Sequence, residues 1–340
     1  MDLSYLQKIR ELFPLDTKSA VLQKLSSLSP STRFYRVDTA SSSLIGEDLG
    51  DCYIIDTPEG QRIASYPHLI GTELAFQSLQ AAYEFKAALT ELGLISGSTG
   101  VLHILRGSVG HMVHNVLPQL PLISVRTEYM DDGYRAHSDD SRRIEVTYSD
   151  YHGRDLDTLI IPDTYATGRS VEAALQHMMS NGGNPRTIII YGFIAIPSMR
   201  RLRALCKNMG SRLITFAICD ITQLAANNYD MTLFGIDEHH HSETGELNLL
   251  GSVVGEETLQ EMSENFIPGL DQPGDWSERQ TKLYDGYHEE PGDIRGHLSK
   301  SIAFIESLDR VNVEQGWYND TIKRLTGAEL ESLHSTISRY

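Results

Sequence analysis

The stretch TLIIPDTYATGRSVEAAL, residues 158–175, joins an apolar run to an amphipathic segment through a short polar turn. The run of Leu, Ile and Ile predicts a buried strand that ends at Ile161, and the spacing from Val171 onward predicts a helix. Residues 164–170 are then the turn between them. One strand, one turn and one helix form the unit from which sheets covered by helices are built.

The same unit recurs along the middle of the chain. Short runs rich in Ile, Val and Leu alternate with helix-like segments that end at glycine, and the runs read GVLHILRG, LPLISVRTE, RTIIIYGFIAIP and RLITFAICD. Apolar strands that alternate with amphipathic helices indicate a parallel sheet covered on both faces. The predicted fold class is therefore α/β. Such sheets bind ligands in the loops at the carboxyl ends of their strands, here after ILRG, ISVRTE and IIPD.

The flanking regions are less regular. We predict helix over residues 1–30, a short strand closed by a Pro-Glu-Gly turn in DCYIIDTPEG, and a helix in GTELAFQSLQAAYEFKAALTELG. The polar stretch between Glu128 and Asp157 is either a β-hairpin flap carrying Arg135, Arg142 and Arg143 or a solvated excursion. The last sixty residues return to helix. The predicted division is an extension at 1–97, a core at 98–280 and a helical extension at 281–340.

Composition narrows the class of protein. The 340 residues carry a formal net charge of -17, which repels nucleic-acid backbones, so we expect no nucleic-acid partner. The three cysteines lie far apart and indicate neither a disulfide framework nor a zinc site. We find no signal-peptide core and no apolar run of membrane-spanning length, and we expect a soluble, cytoplasmic protein without a membrane partner.

The polar turn in the opening stretch has two interpretations. A helix N-terminus offers unpaired N–H groups and a positive dipole end, small residues allow close approach, and the hydroxyls of Thr167 and Ser170 add donors for a phosphate. Asp163 could then accept hydrogen bonds from sugar hydroxyls. Alternatively, the segment is an ordinary strand–turn–helix in which Ser170 caps the helix. Taken alone, this stretch supports both equally.

Two further segments indicate which interpretation applies. The turn resembles the ribose-5-phosphate loop of type I phosphoribosyltransferases, most closely that of uracil phosphoribosyltransferase, whose loop ends in Ala-Thr-Gly-x-Ser. ILRGSVGHM, residues 104–112, is similar to the family's pyrophosphate loop, and FIPGLDQPGD, residues 266–275, is similar to its base-binding segment. The three segments follow the family's order and span about residues 98–280. The resemblance implies a helix-flanked parallel sheet with a base-binding hood and added terminal helices.

The resemblance also implies a reaction. The donor would be 5-phosphoribosyl 1-pyrophosphate (PRPP), with Mg²⁺ held mainly by PRPP and water, and the acceptor a small aromatic nitrogen heterocycle of the kind used in pyrimidine salvage. Relatives are commonly homodimers or higher homo-oligomers. Arg106 would stabilise the departing pyrophosphate, Asp163 would hold ribose hydroxyls, and Asp275 would help to position PRPP or its metal.

The remaining candidate residues are carried over motif by motif. Those expected to bind PRPP are Gly107, Ser108, Thr164, Tyr165, Ala166, Thr167, Gly168, Arg169 and Ser170. Those expected to bind the acceptor are Ile267, Gly269, Asp271, Gln272, Pro273 and Trp276. For Trp276, stacking on the acceptor and packing inside the protein are equally compatible with the sequence. Asp237, in a segment similar to the family's Ile-Asp-Glu, is a candidate near magnesium or substrate, whereas His239, His240 and His241 indicate an exposed loop.

Two prolines depart from the family pattern. Pro162 precedes the acid that the uracil enzymes place before their proline, which shifts Asp163 by one residue and could turn its side chain to the other face of the sheet. Pro273 has no N–H to donate from the base loop. These departures favour a modified pyrimidine or another heterocycle over uracil as acceptor. The alternative function is a non-catalytic regulator on the same fold that senses PRPP or a nucleotide.

Overall fold

A ten-stranded mixed sheet forms the centre of the molecule. The computed structural model describes residues 3–95, 97–130, 142–153, 155–233 and 235–340. The strands follow the order β1-β2-β3-β9-β8-β7-β4-β5-β6, and β10 also pairs with β9. Their bounds are β1 Ala20–Gln23, β2 Arg33–Val37, β3 Asp51–Asp56, β4 Thr99–Leu105, β5 Leu122–Tyr129, β6 Ile144–Ser149, β7 Thr158–Tyr165, β8 Thr187–Ala195, β9 Arg212–Thr222 and β10 Ser252–Val254.

The six central strands, from β3 to β5 in this order, are parallel, and the outer strands β1, β2, β6 and β10 pair antiparallel. A small separate hairpin consists of β11 Leu283–Tyr284 and β12 Glu289–Glu290. The helices are α1 Leu3–Leu12, α2 Pro58–Ser65, α3 Gly71–Glu91, α4 Val113–Val116, α5 Arg169–Ser180, α6 Ile196–Met209, α7 Glu238–Thr244, α8 Glu256–Met262, α9 Ile294–Asn312 and α10 Asp320–Ile337.

Helices cover both faces of the sheet, as the continuous apolar runs predicted. Alternate residues of one strand point to opposite faces, so Ile160 joins the core beneath α3, α8 and α9, whereas Leu159 and Ile161 join the core beneath α5 and α6. The predicted α/β class and the helical C-terminal extension are confirmed. The predicted boundaries at residues 97 and 280 stay a prediction.

Strand order creates a crevice between β4 and β7. The chain leaves β4 toward β5 on one side, and it leaves β7 toward β8 on the other. Their pairing stops at Val101 with Ile160, so the carboxyl ends of the two strands separate. Open parallel sheets bind ligands at such a reversal of strand order. Arg106 follows β4 and Asp163 lies in β7, which places both predicted residues at this crevice.

Three local predictions were wrong. Residues 1–30 contain one helix and then strand β1, because the apolar residues 20–22 pair with β2 instead of continuing a helix. Pro58 begins helix α2, where its fixed φ suits the first turn, and the Thr57 side chain caps that turn by accepting a hydrogen bond from Gly60 N–H. Strand β7 continues to Tyr165, four residues beyond the predicted end.

The polar stretch after Glu128 begins and ends as a hairpin. Strands β5 and β6 pair antiparallel as far as Tyr129 with Ile144, which agrees with the predicted flap. Arg135 lies outside the described residues, whereas Arg142 and Arg143 lie within them. Among the helices that the structure describes, none is long and apolar enough to cross a membrane.

Candidate active site

The larger of two adjoining cavities brings the three sequence motifs together. It has a volume of about 630 Å³ and lies at the carboxyl ends of β4 and β7. Its walls come from the segments after β4 and within β7, from residues 271–278, and from the C-terminal part of the chain. The predicted residues that line it are Arg106, Gly107, Asp163, Thr164, Ala166, Ser170, Asp271, Gln272, Pro273, Asp275 and Trp276.

The smaller cavity, of about 200 Å³, adjoins the first and shares Asp163, Thr164, Ala166, Ser170 and Tyr229 with it. The other residues of the polar turn, which are Tyr165, Thr167, Gly168 and Arg169, line only this smaller cavity. All residues of the predicted PRPP-binding turn therefore line the smaller cavity and three of them also line the larger one, whereas the predicted acceptor segment lines only the larger one. Residues of β7 form the wall between them.

The polar turn leads directly into helix α5. Gly168 is the residue before the helix and has a φ of 75°, a left-handed conformation that glycine adopts without strain. A Cβ at this position would lie 3.2 Å from Cβ of Ser198, so a larger residue would crowd α6. Ser170 lies in the first turn of α5 and makes no capping bond, which contradicts its interpretation as a helix cap. Its position on both cavities is compatible with phosphate binding.

Two arginines stand beside the small cavity. The Arg142 guanidinium carbon lies 3.8 Å from the centroid of the Tyr129 ring, and that of Arg169 lies 5.8 Å from it. A guanidinium over an aromatic face is held by the ring quadrupole. The Arg169 side chain also donates to the backbone carbonyl of Arg142. The positive end of α5 and two fixed cations therefore surround the small cavity.

Asp163 forms part of the wall that the two cavities share. Its carboxyl faces the larger cavity, where a Cβ built on Gly107 would lie 3.8 Å from its Oδ1. Burial raises the pKa of Asp163 to about 7, and the hydrogen bond from the Thr164 backbone only partly offsets this. Pro162 lies beyond the last β4–β7 pair, so its missing N–H breaks none of the pairs between these strands.

Arg106 follows β4 and is held by two carboxylates. Its Nη2 lies 3.5 Å from Glu278 Oε1, and its Nη1 donates to Glu290 Oε1. Gly107 lines the larger cavity beside it. Ser108 is fully buried, and its hydroxyl accepts a hydrogen bond from Ile104 N–H at 2.8 Å, which stabilises the turn after β4. The side chain of Ser108 therefore stabilises the loop from inside the protein and does not line the cavity.

Trp276 connects the acceptor segment to the loop after β4. Its indole N–H donates to the Gly107 carbonyl at 2.9 Å, and its ring packs against His111 with centroids 4.5 Å apart. Only 6% of Trp276 is exposed. These contacts support the packing interpretation over stacking on an acceptor. Burial lowers the pKa of His111 to about 3, so its ring is neutral.

The acceptor segment places two polar side chains at the cavity wall. Asp271 Oδ1 accepts a hydrogen bond from Met231 N–H at 2.7 Å, and burial raises the pKa of Asp271 well above its ordinary value. Gln272 is 1% exposed, and neither its amide nitrogen nor its amide oxygen has a hydrogen-bond partner among the described residues. The Gln272–Pro273 peptide is cis. The segment therefore places an acid with a raised pKa and an unpaired carboxamide next to the cavity.

Asp275 contacts the C-terminal extension. Its Oδ2 lies 3.5 Å from Nδ1 of His297 and 3.7 Å from Nζ of Lys300, both on helix α9. Hydrogen bonding to His297, with the nearby charge of Lys300, lowers the pKa of Asp275 below its ordinary value. Nε2 of His297 lies 2.8 Å from the Pro67 carbonyl, which orients the ring beside Asp275. Asp275 is therefore an ionised carboxylate held at the cavity wall.

Ser108 lines neither cavity, and three other predicted residues also lie elsewhere. Ile267 is buried in the hydrophobic core, and Gly269 packs against α9, where an added Cβ would lie 2.6 Å from Leu308 Cδ2. Neither lines the cavities, because the segment reaches them only from Asp271 onward. Asp237 caps helix α7, accepting hydrogen bonds from Ala226 N–H and His240 N–H. Asp237 lines neither cavity, and its place near magnesium or substrate stays a prediction; the three histidines belong to this short helix and not to a loop.

Sequence reasoning missed several residues that the fold brings to the cavities. Thr127, Tyr229, Met231, Ser277, Glu278, Asp293 and Lys300 line the larger one, and Tyr129, Asn228 and Tyr229 line the smaller one. Glu278 lies three residues beyond Asp275, so proximity to a motif was a usable signal. Lys300 and Glu290 carry no local signal, because only the return of the C-terminal chain brings them to Arg106 and Asp275.

The donor set suits a weakly held hard cation. Among the described residues, no group of three or more histidine, cysteine or carboxylate side chains is arranged to enclose a metal. Mg²⁺ commonly binds one or two carboxylates and completes its shell with phosphate oxygens and water. Asp163 and Asp275 on the cavity wall fit that requirement.

Comparison with known proteins gives structural neighbours only. No protein-family model matches the chain, and no curated protein matches its sequence. The chain is similar to the AQ2163 protein of Aquifex aeolicus at 14% identity and a TM-score of 0.38, over 51% of this chain and 84% of that one. It is similar to the adenine phosphoribosyltransferase of Trypanosoma brucei at 12% identity and a TM-score of 0.34, over 49% and 83%.

A purine phosphoribosyltransferase of Pyrococcus horikoshii is similar at 14% identity and a TM-score of 0.29, over 42% of this chain and 82% of that one. The closeness to uracil enzymes that the motifs suggest stays a prediction.

Proposed function

We propose that this chain transfers the 5-phosphoribosyl group of PRPP to a nitrogen heterocycle and releases pyrophosphate. The C1–O bond to pyrophosphate breaks, its electron pair leaves with pyrophosphate, and a ring nitrogen of the acceptor forms the new bond to C1. Its N–H proton passes to solvent or to a carboxylate of the site. A modified pyrimidine or another neutral heterocycle is the proposed acceptor, with pyrimidine salvage, a cytoplasmic location and a homodimeric state as parts of the same proposal.

One observation carries the proposal. Three motifs separated by more than 50 residues, with lining residues within 104–107, 163–170 and 271–276, meet at two joined cavities at the reversal of strand order. A chance match in any one motif would not bring the other two to the same crevice. Each motif would then bind a different group: the 5-phosphate, the pyrophosphate leaving group or the acceptor. Holding the reacting groups in a fixed geometry is what such a transfer gains from the protein.

The small cavity suits the 5-phosphate. The first turn of α5 offers backbone N–H groups, Ser170 and Thr167 offer hydroxyls, and Arg142 and Arg169 supply positive charge. Thr164 adds a buried hydroxyl that has no partner among the described residues. An unpaired buried donor gains most from a ligand, because its desolvation cost has already been incurred.

The larger cavity suits the reacting bond. Asp163 lies between the two cavities, where the ribose would span them, and its ionised form could accept from ribose hydroxyls. Arg106 would stabilise charge on the departing pyrophosphate. Mg²⁺, where bound, would offset the pyrophosphate charge, and Asp163 and Asp275 would supply its protein oxygens.

The acceptor end favours a neutral ring. Asp271 with a raised pKa can donate one hydrogen bond as an acid, and the Gln272 carboxamide can pair with an adjacent donor and acceptor on a ring edge. A site built to pair such groups rejects analogues that lack them. Together these residues support an oxo- or amino-substituted heterocycle.

A second candidate is a non-catalytic protein that senses PRPP or a nucleotide. The engagement of Arg106 by Glu278 and Glu290 favours it, since a guanidinium already paired with carboxylates is less available to a leaving group. Strong net acidity gives such a protein no evident nucleic-acid partner.

A single assay separates the two candidates. The full chain is incubated with PRPP, Mg²⁺ and a panel of oxo- and aminopyrimidines and purines, and pyrophosphate release is followed. Release that depends on one acceptor supports the transferase. Tight PRPP binding by calorimetry without release, whatever the acceptor, contradicts it in favour of the sensor.

A further inference from the structure

The C-terminal segment places a small hairpin next to Arg106. Strands β11 and β12 pair Leu283 with Glu290 and Tyr284 with Glu289, and we call residues 283–290 the strap. The strap lies outside all three motifs identified in the sequence. Its last residue, Glu290, contributes the carboxylate that accepts from Arg106 Nη1.

The strap is attached to the sheet on its other side. Asp285 Oδ2 lies 3.2 Å from Arg126 Nη1 on β5, and the ring of Tyr287 packs edge-on against Tyr148 on β6 with centroids 5.1 Å apart. The Tyr287 hydroxyl also donates to the Thr147 carbonyl at 3.2 Å. The strap therefore bridges from the C-terminal segment to the hairpin β5–β6 beside the larger cavity.

The two carboxylates on Arg106 differ in how firmly they are held. Glu278 also accepts a hydrogen bond from Asp293 N–H at 2.6 Å through its other oxygen, which fixes it in the cavity wall. Glu290 lies on the strap with a side chain that is 41% exposed. Of the two, Glu290 can leave Arg106 at the smaller structural cost.

Few cations line the larger cavity. Within the ranges that the structure describes, the lysines and arginines on its wall are Arg106 and Lys300, and Lys300 lies 3.7 Å from the Asp275 carboxylate. A diphosphate needs charge-assisted hydrogen bonds from such groups, and a guanidinium supplies them from both terminal nitrogens. Both terminal nitrogens of Arg106 already face carboxylates.

We propose that Glu290 is a carboxylate gate on the pyrophosphate subsite: it occupies Nη1 of Arg106, and a diphosphate binds by displacing it and lifting the strap. The gate rests on the proposed function, because it assigns Arg106 to pyrophosphate. Exchange of one anion for another keeps Arg106 paired throughout, so the guanidinium is oriented before the ligand arrives. Glu278 stays in place and limits the rotation of the guanidinium.

The test measures binding of inorganic pyrophosphate to the full chain by calorimetry. Glu290→Gln keeps the shape of the side chain and removes its charge, so we expect the Kd to fall about twofold to fivefold, the range for a partly exposed ion pair. Glu289→Gln is the matched control, since it removes the same charge from the neighbouring residue, which pairs with Lys282 at 2.8 Å. Equal tightening in both variants, or no tightening in Glu290→Gln, overturns the gate.

A double-mutant cycle locates the effect. In an Arg106→Ala background, Glu290→Gln should no longer change the Kd, because the guanidinium that it releases is absent. A gain that persists there reflects general repulsion and overturns the gate. Pyrophosphate release from PRPP is followed in the same proteins. If the protein turns over PRPP but Glu290→Gln binds pyrophosphate no more tightly, the gate alone is overturned. If neither the wild type nor any variant binds pyrophosphate, the gate and the proposed function are overturned together.

Discussion

The two joined cavities differ in the charges of the side chains that line them. The small one lies at the positive end of α5, with Arg142 and Arg169 beside it and Asp163 as its acid. The large one is lined by Asp163, Asp271, Asp275, Glu278 and Asp293, against Arg106 and Lys300. The first offers a phosphate the backbone N–H groups at the start of a helix as well as Arg142 and Arg169. In the second, each cation already has an acidic partner from another segment of the chain.

This difference follows from how each cavity is made. The small cavity is formed largely by consecutive residues around one turn, so local backbone geometry provides most of its donors. The large cavity is formed by residues within 104–107, 127, 163–170, 229–231, 271–278 and 293–300, and its cations pair with acids from these and neighbouring segments. We therefore expect the small cavity to bind a phosphate group with little rearrangement and the large one to require exchange of ion pairs.

The largest effect should come from Arg106→Ala, which removes one of the two cations of the large cavity and no residue that lines the small one. Turnover should fall by about 10²–10³, as when one donor to a developing charge is removed. Pyrophosphate release measures it, and circular dichroism checks the fold. Arg186→Ala, which removes an exposed guanidinium paired with Asp157 at the other end of the sheet, should retain full activity. Unchanged turnover in Arg106→Ala would contradict the pyrophosphate role.

A change at Gly168 should disturb the small cavity next most strongly. Gly168→Ala places a side chain at a φ of 75° and against Ser198, which costs about 1–2 kcal/mol of stability and moves the first turn of α5. We expect ribose 5-phosphate to bind about tenfold more weakly by calorimetry. Gly182→Ala has a similar φ of 85° but open space around it, so it should lose stability without losing affinity. Equal affinity in both variants argues against the turn as a phosphate site.

Asp163 on the shared wall should make stability depend on pH. Its pKa is about 7 in the folded chain and near its ordinary value of 3.8 when unfolded. Between pH 3.8 and about 7, Asp163 is therefore protonated in the folded state and ionised in the unfolded state. Stability therefore falls as pH rises from about 4 to 7, by about 1–2 kcal/mol because solvent in the cavity screens part of the burial cost.

Asp163→Asn should abolish that contribution and be the more stable chain above pH 7. Urea unfolding at several pH values measures the difference between the two chains. Burial raises the pKa of Asp220 to about 8. Asp220 is present in both chains, so its contribution to the pH dependence cancels in the difference between them. A difference that does not change with pH contradicts the assignment of a buried, protonated Asp163.

The smallest effect should come from one hydroxyl of the small cavity. Ser170→Ala removes a single donor from the first turn of α5, which should weaken ribose 5-phosphate binding about twofold to tenfold. Ser180→Ala, at the exposed end of the same helix, where the hydroxyl bonds to the Gln176 carbonyl, is the control and should bind normally. Loss of affinity for pyrophosphate instead would show that the two cavities had been assigned in the wrong order.

Local pattern was informative wherever neighbouring residues decide the structure. The apolar runs identified the five strands from β4 to β9 other than β6, and the spacing of apolar residues identified α3, α5 and α6. The turn before α5 was recognisable for the same reason, because its glycine, its hydroxyls and its helix are consecutive. The end of β7 was not, since its last four residues are held by pairing with β8 and not by their own apolar character.

The position of Asp163 at the end of an apolar run indicated it as a chemistry-bearing group, and the resemblance of the motifs and their order suggested that Arg106 and Asp275 belong with it. Which groups face them was decided by tertiary structure alone. Glu290 and Lys300 reach the site only because the chain after residue 280 folds back across the sheet. Burial then raises the pKa of Asp163 and Asp271 through desolvation, which depends on the whole surrounding fold. The sequence by itself therefore determined the sheet, the turn and the candidate residues, whereas long-range packing decided their partners and protonation, because these depend on atoms distant along the chain.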